Sequence, residues 1–228
     1  KYLIRNIIFK EMKKKSLLFL FLSLYLNSQT NIQENYFSNP LDIELILNGN
    51  FGEPRPSHFH SGLDFKTKFK EGLNVYSSAE GYVSRISIKH GGFGKALYIS
   101  HPNGYTTVYA HLKNFNEEIE SYIKKLQYKK QSYQIEHYLK ENILKVKKNK
   151  IIGKSGNTGS SFGPHLHFEI RKTLNQKALN PKLFNFEIKD SRRPNISSVF
   201  VYIIDSLNNF KTPAKLKLEK INDSLYIS

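Results

Sequence analysis

The sequence predicts a mainly β protein: an antiparallel sheet domain with a short helical insertion, followed by part of a second β-rich, sandwich-like unit. Three observations predict it. Short runs rich in Val, Ile, Tyr, Thr and Phe recur between Gly, Asn and Pro punctuation. Asn103-Gly104 is a strong hairpin signal and joins two of those runs. One stretch, residues 116–127, carries helical spacing behind a capping residue. The 228 residues suffice for one good core, or for one domain plus a fragment.

Residues 1–28 read as a signal peptide. Met12 is the single methionine and the expected start of translation; Lys13, Lys14 and Lys15 follow it, then the apolar run LLFLFLSLYL and the small polar residues Asn27 and Ser28. Ten apolar residues are too few for a comfortable membrane span. The alternative is an uncleaved anchor, the one way this chain is expected to touch a membrane. Either way the chain is expected to be exported, to the periplasm or cell envelope.

The net charge is +16, and residues 29–228 keep +11 of it, because six Lys/Arg and one acid lie in residues 1–28. A basic exported surface attracts anionic envelope polymers or lipid headgroups. Compositional drift toward Lys, Asn and Ile explains the excess equally simply. No nucleic-acid partner is expected, since an exported chain rarely meets one. The chain has no cysteine. That excludes disulfides, a lipidated N-terminal cysteine and any thiolate zinc site, so a metal must be held by His and carboxylate.

Residues 29–40 read as a polar linker and 41–47 as a strand closed by Asn48-Gly49-Asn50. Irregular backbone follows, FGEPRPSHFHSGLDF, with two prolines and two glycines. His60 and Asp64 are four apart, and Gly62 between them permits a tight turn that could aim both at one point. Alone, H-x-G-x-D suits an Asx-capped turn as well. Strands are then expected at 73–77, 81–88 and 95–100, and at 105–111, where Tyr105, Thr107, Tyr109 and His111 share a face by alternation. Gly91-Gly92-Phe93-Gly94 lacks the helix and the Lys-Ser/Thr of a phosphate loop.

Residues 113–150 interrupt the β pattern. Asn116 caps a helix with Glu117 and Glu118 in its first turn and Ile119, Ile123 and Leu126 on one face. Tyr133, Ile135, His137 and Leu139 alternate like a strand, and Lys145, Lys147, Lys148 and Lys150 read either as a solvated edge or as a polymer-facing rim.

Residues 155–170, SGNTGSSFGPHLHFEI, organise the rest. Pro164 suits the first position of a strand. Alternation then puts His165, His167 and Glu169 on one face and Leu166, Phe168 and Ile170 on the other. An isolated H-x-H equally suits two surface histidines. After Asn180-Pro181 and a polar linker at 189–194, three further strands are expected at 196–205, 214–220 and 224–228, the truncated start of a second unit.

Together H-x-G-x-D (His60, Gly62, Asp64), Tyr109-Ala110-His111 and SGNTG-x-x-x-GPHLHFE resemble the lysostaphin/LytM-type zinc metalloendopeptidases of bacterial cell walls. The resemblance covers roughly residues 51–181. It implies a zinc metallopeptidase domain at 41–188 of the duplicated hybrid motif type, with an insertion at 113–150 that could cover or extend the groove, and a C-terminal β unit at 189–228. It implies His60, Asp64 and His167 as ligands of one Zn2+ per chain, and His111 and His165 as the catalytic pair beside it. Two imidazoles and one carboxylate leave a position for water, whose pKa falls to about 7 on zinc. His58 could compete with His60; His90, His101 and His137 default to turn or surface positions. The function expected is hydrolysis of peptide cross-bridges in peptidoglycan, with envelope or division proteins as further partners. The alternative is a non-catalytic envelope-binding module that activates other wall hydrolases; the presence of all five site residues argues against it.

Overall fold

The structure, a computed structural model, describes residues 35–190, 196, 198–206, 212–221 and 226–227. The signal-peptide expectation and residues 29–34 of the linker lie outside the described residues. The chain separates into two compact units after Ile188.

The first unit is the antiparallel β domain expected from the sequence. Its strands are β1 (Leu47–Gly49), β2 (Leu63–Lys66), β3 (Asn74–Tyr76), β4 (Gly81–Ile88), β5 (Lys95–Ser100), β6 (Tyr105–Ala110), β7 (Leu112–Phe115), β8 (Ile135–Tyr138), β9 (Lys145–Val146), β10 (Ile151–Ser155), β11 (His165–Lys172) and β12 (Ala178–Leu179). The main sheet runs β1-β2-β11-β6-β5-β4-β8, with β12 on β11 and β9 on β4; β3-β10-β7 form a second, smaller sheet. The Asn103-Gly104 turn joins β5 to β6, with Gly104 left-handed at φ 81°.

Alternation sorts β11 as the sequence requires. Leu166, Phe168 and Ile170 are fully buried in the core, where Phe168 packs between Phe65 and Tyr109 with ring centroids 6.0 and 5.4 Å away. Burial of each such side chain contributes about 1.5–3 kcal/mol. The opposite face presents His165, His167 and Glu169. β11 lies between β2 and β6, so His167 stands opposite Asp64 on one side and Ala110 on the other. The candidate site residues of β11 thus sit on a strand paired along both edges.

Helix α1 (Glu117–Lys130) starts where its cap predicts: Asn116 Oδ1 accepts from Ile119 N–H at 3.0 Å, and Ile119 and Ile123 are buried. It ends at Gln131, left-handed at φ 47°. β8 pairs with β4 at the far edge of the sheet from β2. The insertion therefore extends the sheet away from the groove described below, and none of its residues lines that groove.

Two local expectations change. Residues 41–47 form no continuous strand: the backbone bends at 41–43, and Leu45, buried, makes only an isolated bridge to Ile188 before β1 begins at Leu47. The end of the expected linker is docked: Phe37 is buried, with its ring 5.4 Å from those of Phe184 and His101, and Ser38 N–H donates to Ser78 O.

In the second unit the described residues form two small ladders, β13 (Val199–Val201) with β14 (Ala214–Leu216) and β15 (Glu219–Lys220) with β16 (Tyr226–Ile227). No helix among the described residues is long and apolar enough to cross a membrane.

Candidate metal centre

His60, Asp64 and His167 meet although 107 residues of sequence separate the first from the last. His60 Nε2 is 3.1 Å from Asp64 Oδ1 and 3.0 Å from His167 Nδ1, and the last two atoms are 2.9 Å apart. All three residues are buried.

The other ring nitrogens fix which atoms face the centre. His60 Nδ1 lies 2.7 Å from Asn50 O. A carbonyl can only accept, so Nδ1 carries the proton and Nε2 the lone pair. His167 Nε2 lies 2.9 Å from Glu169 Oε1 and donates to it, leaving the lone pair on Nδ1. Two lone pairs and a carboxylate oxygen therefore converge at about 3 Å in a buried spot, an arrangement that needs a cation or a proton between them. The edge of a zinc tetrahedron with bonds of 2.0–2.1 Å is about 3.3–3.4 Å. The donor set therefore fits such an ion after a small outward adjustment.

Burial alone would raise the Asp64 pKa, but the imidazoles of His165, His167 and His60 packed against it outweigh burial and hold the carboxyl well below the usual range. Burial opposes charge on His167, yet the bonds to Asp64 and Glu169 push it up to about 9. Glu169, fully buried, is held down to about 2 against its burial by His167 and Arg171. Ser61 Oγ donates to Glu169 Oε1 and Arg171 Nε to Oε2. Arg55 Nη2 reaches the outer oxygen of Asp64, Oδ2, at 3.3 Å, and Glu53 at 3.2 Å. Neither Arg55 nor Glu169 is assigned a role by the motifs of the sequence. Glu169 was visible there as the carboxylate sharing a strand face with His165 and His167.

His111 and His165 flank the triad, their ring centroids 4.7 Å apart. His111 Nδ1 donates to Thr158 O at 2.7 Å and His165 Nδ1 to Gly163 O at 2.8 Å, so both turn Nε2 away from the loop. His165 Nε2 is 3.5 Å from Asp64 Oδ1. Burial pushes the His111 pKa down to about 4 although the Thr158 bond opposes it. Sequence alternation groups His111 with Tyr109, whose ring lies in the core. The structure corrects this: His111 is left-handed at φ 56°, which turns its ring out of the strand's alternation and beside those of His165 and His167.

Gly62 also plays a different part from the expected turn. Its φ is not positive; instead a Cβ there would lie 2.3 Å from Phe168 O and 2.8 Å from Glu169 Cγ. The glycine lets the His60–Asp64 segment lie directly against β11. His58 is exposed on the groove wall and outside the triad. His90 stacks on Tyr133, and His137 Nε2 lies 2.9 Å from Tyr122 Oη. His101, expected at a turn or surface, is buried between Glu80 O and Thr107 Oγ1. The centre opens into a groove of about 650 Å3, walled in part by Gly92-Phe93 and by Ser160–Pro164. These two loops are tied together by Ser160 N–H to Gly92 O and Gly92 N–H to Ser160 Oγ.

Among curated proteins, the chain is 35% identical over 130 residues to an uncharacterized metalloprotease of Haemophilus influenzae, covering 57% of this chain and 21% of that one. It is 32% identical over 122 residues to the DD-carboxypeptidase/endopeptidase Mpg of Neisseria meningitidis, covering 54% and 22%. To the peptidoglycan DD-endopeptidase ShyA of Vibrio cholerae it is 31% identical over 147 residues, covering 61% and 28%. The chain thus spans between 21% and 28% of the length of these relatives. Among solved structures it aligns with the catalytic domain of lysostaphin from Staphylococcus simulans at 24% identity and a TM-score of 0.44, over 60% of this chain and 88% of that one. Residues 58–128 and 124–181 match Peptidase family M23. That span takes in more than half of the chain, including all five His and Asp residues gathered at the centre, and the chain belongs to this family.

Proposed function

We propose that this chain is a zinc-dependent endopeptidase that hydrolyses peptide cross-links of peptidoglycan after export to the periplasm or cell envelope. The observation that carries the reading is the buried convergence of His60 Nε2, Asp64 Oδ1 and His167 Nδ1 within about 3 Å of one another. Membership of a peptidase family and the endopeptidase names of two relatives support the substrate class.

His60, Asp64 and His167 would hold one zinc per chain. Bound there, zinc would polarise the scissile carbonyl and bring a water to a pKa of about 7. Glu169 keeps the His167 ring oriented and its Nε2 protonated; Asn50 O does the same for His60 Nδ1. Arg55 holds Oδ2 of Asp64, which leaves Oδ1 turned to the imidazoles.

His111 and His165 do the proton work in this reading. Each is anchored through Nδ1 and offers Nε2 as an acceptor. An attacking water can lose its proton to that atom, and the same atom can return it to the departing amine or hydrogen-bond the tetrahedral oxyanion. The low pKa of His111 keeps it neutral at neutral pH, the state that accepts a proton. Envelope or division proteins are the further partners of this reading.

Digestion of purified sacculi tests it. The zinc-loaded chain is expected to convert cross-linked muropeptides to monomers that each gain the elements of water at one amide, and His167→Ala is expected to release none. Equal digestion by both, or none by the wild type, would defeat the reading.

A further inference from the structure

We infer that Phe69 and Phe162, together with Lys66 and Lys68, form the end of the groove that selects the substrate, and that they take a peptide residue combining an aliphatic chain with a carboxylate. This deepens the peptidase reading above and rests on it for the groove's role.

The turn that carries Phe69 is unusual. Lys68 and Phe69 have φ of 54° and 57°, and Lys70 N–H donates to Thr67 O at 3.0 Å. Two successive left-handed central residues define a type I′ turn, the geometry that Asn-Gly adopts without strain. Neither residue here is Gly or Asn, so the turn holds its shape against local strain. It gains no burial in return, because Phe69 is 91% exposed. A strained backbone presenting a large ring to water points to something outside the fold that the ring meets.

A second ring stands at the same end. Lys66 pairs with His165, so the turn after β2 and the loop before β11 leave the sheet together. That loop carries Phe162, fully exposed, and both phenylalanines line the groove containing the triad. His165 lies two strand positions, about 7 Å, from His167. The rings thus border the groove at the end of β11 that His165, rather than His167, occupies.

The charge at this end is positive. Lys66 and Lys68 line the groove beside Phe69, and neither is ion-paired among the described residues. The acids on the groove wall are Glu44 and Asp64, and Asp64 is occupied by imidazoles and Arg55. Aromatic walls with cationic heads complement an alkyl chain that ends in a carboxylate. Acidic stem peptides of peptidoglycan contain such residues; bridges made of glycine alone do not.

The test compares an acidic cross-linked stem-peptide dimer with a neutral oligoglycine peptide, using the metal-loaded full chain and measuring both binding and cleavage. Phe69→Gly and Phe162→Ala are each expected to weaken binding of the acidic dimer about tenfold, with kcat changed less than about twofold. Phe69→Gly is also expected to raise Tm by about 2 °C, because glycine relieves the left-handed position. Lys68→Gly relieves the same turn but keeps the ring, and is expected to raise Tm with a smaller loss of affinity. Unchanged affinity in both phenylalanine variants overturns the inference, as does wild-type binding of oligoglycine as tight as that of the acidic dimer, or no binding of either. A wild type that binds the acidic dimer and cleaves neither peptide defeats the peptidase reading alone; loss of that binding in Phe69→Gly then still supports the selecting role of the rings.

Discussion

His167 and Asp64 face each other directly across the antiparallel β2–β11 pair, with His167 Nδ1 2.9 Å from Asp64 Oδ1. The ladder of backbone hydrogen bonds therefore sets their separation. His60 is brought to the same point by the close approach that Gly62 allows. Such a centre can be dismantled one side chain at a time without unfolding the sheet.

Substitutions should accordingly split into two groups. Asp64→Ala and His167→Ala are expected to lose zinc and, with it, peptidoglycan-cleaving activity by at least about a thousandfold, with the β-sheet circular dichroism kept. His111→Ala and His165→Ala are expected to retain one zinc per chain while kcat falls about 10²–10⁴-fold. Zinc content and turnover measured on the same preparations check the split; loss of zinc in the second group would contradict it.

Glu169 is fully buried and bonded to His167, Ser61 and Arg171. Glu169→Gln retains an acceptor and is expected to weaken zinc binding about 10-fold, and Glu169→Ala about 100-fold. The alanine variant also strands Arg171 and is expected to lower stability by about 3 kcal/mol. Competition with a chelating dye measures the first effect and urea unfolding the second.

Gly62→Ala places a methyl 2.3 Å from Phe168 O, so β2 and β11 must part. A loss of about 2–3 kcal/mol and weaker zinc binding are expected together. A variant with unchanged stability would mean that the glycine serves no close approach.

His101 gives the fold a pH dependence of its own. Burial pushes its pKa down from 6.5 to about 4. The unfolded chain therefore takes up this proton more readily than the folded one. The contribution is fully present above pH 6.5 and is lost as pH falls toward 4, at up to about 1.4 kcal/mol per pH unit. Urea midpoints at pH 7 and pH 5 should differ more for the wild type than for His101→Gln.

Much of the centre was legible because β alternation is strict. The faces of β11 follow from Leu166, His167 and Phe168 alone. The hairpin at Asn103-Gly104 and the Asn116 cap rest on local chemistry that tertiary contacts did not override. His111 escaped because one left-handed residue reverses alternation, and sequence gives no warning of it at a histidine. Gly62 escaped because a close approach depends on a strand a hundred residues away. Phe37 looks like a linker residue until the aromatic cluster around Phe184 supplies a place to bury it.

Zinc K-edge X-ray absorption on the metal-loaded chain tests the central claim most directly. The expected result is one zinc per chain bound by two imidazoles and one carboxylate oxygen, with the remaining scatterer a light oxygen. Three or four imidazoles on the metal would put His111 or His165 among its ligands and contradict the assignment, as would a chain that takes up no zinc.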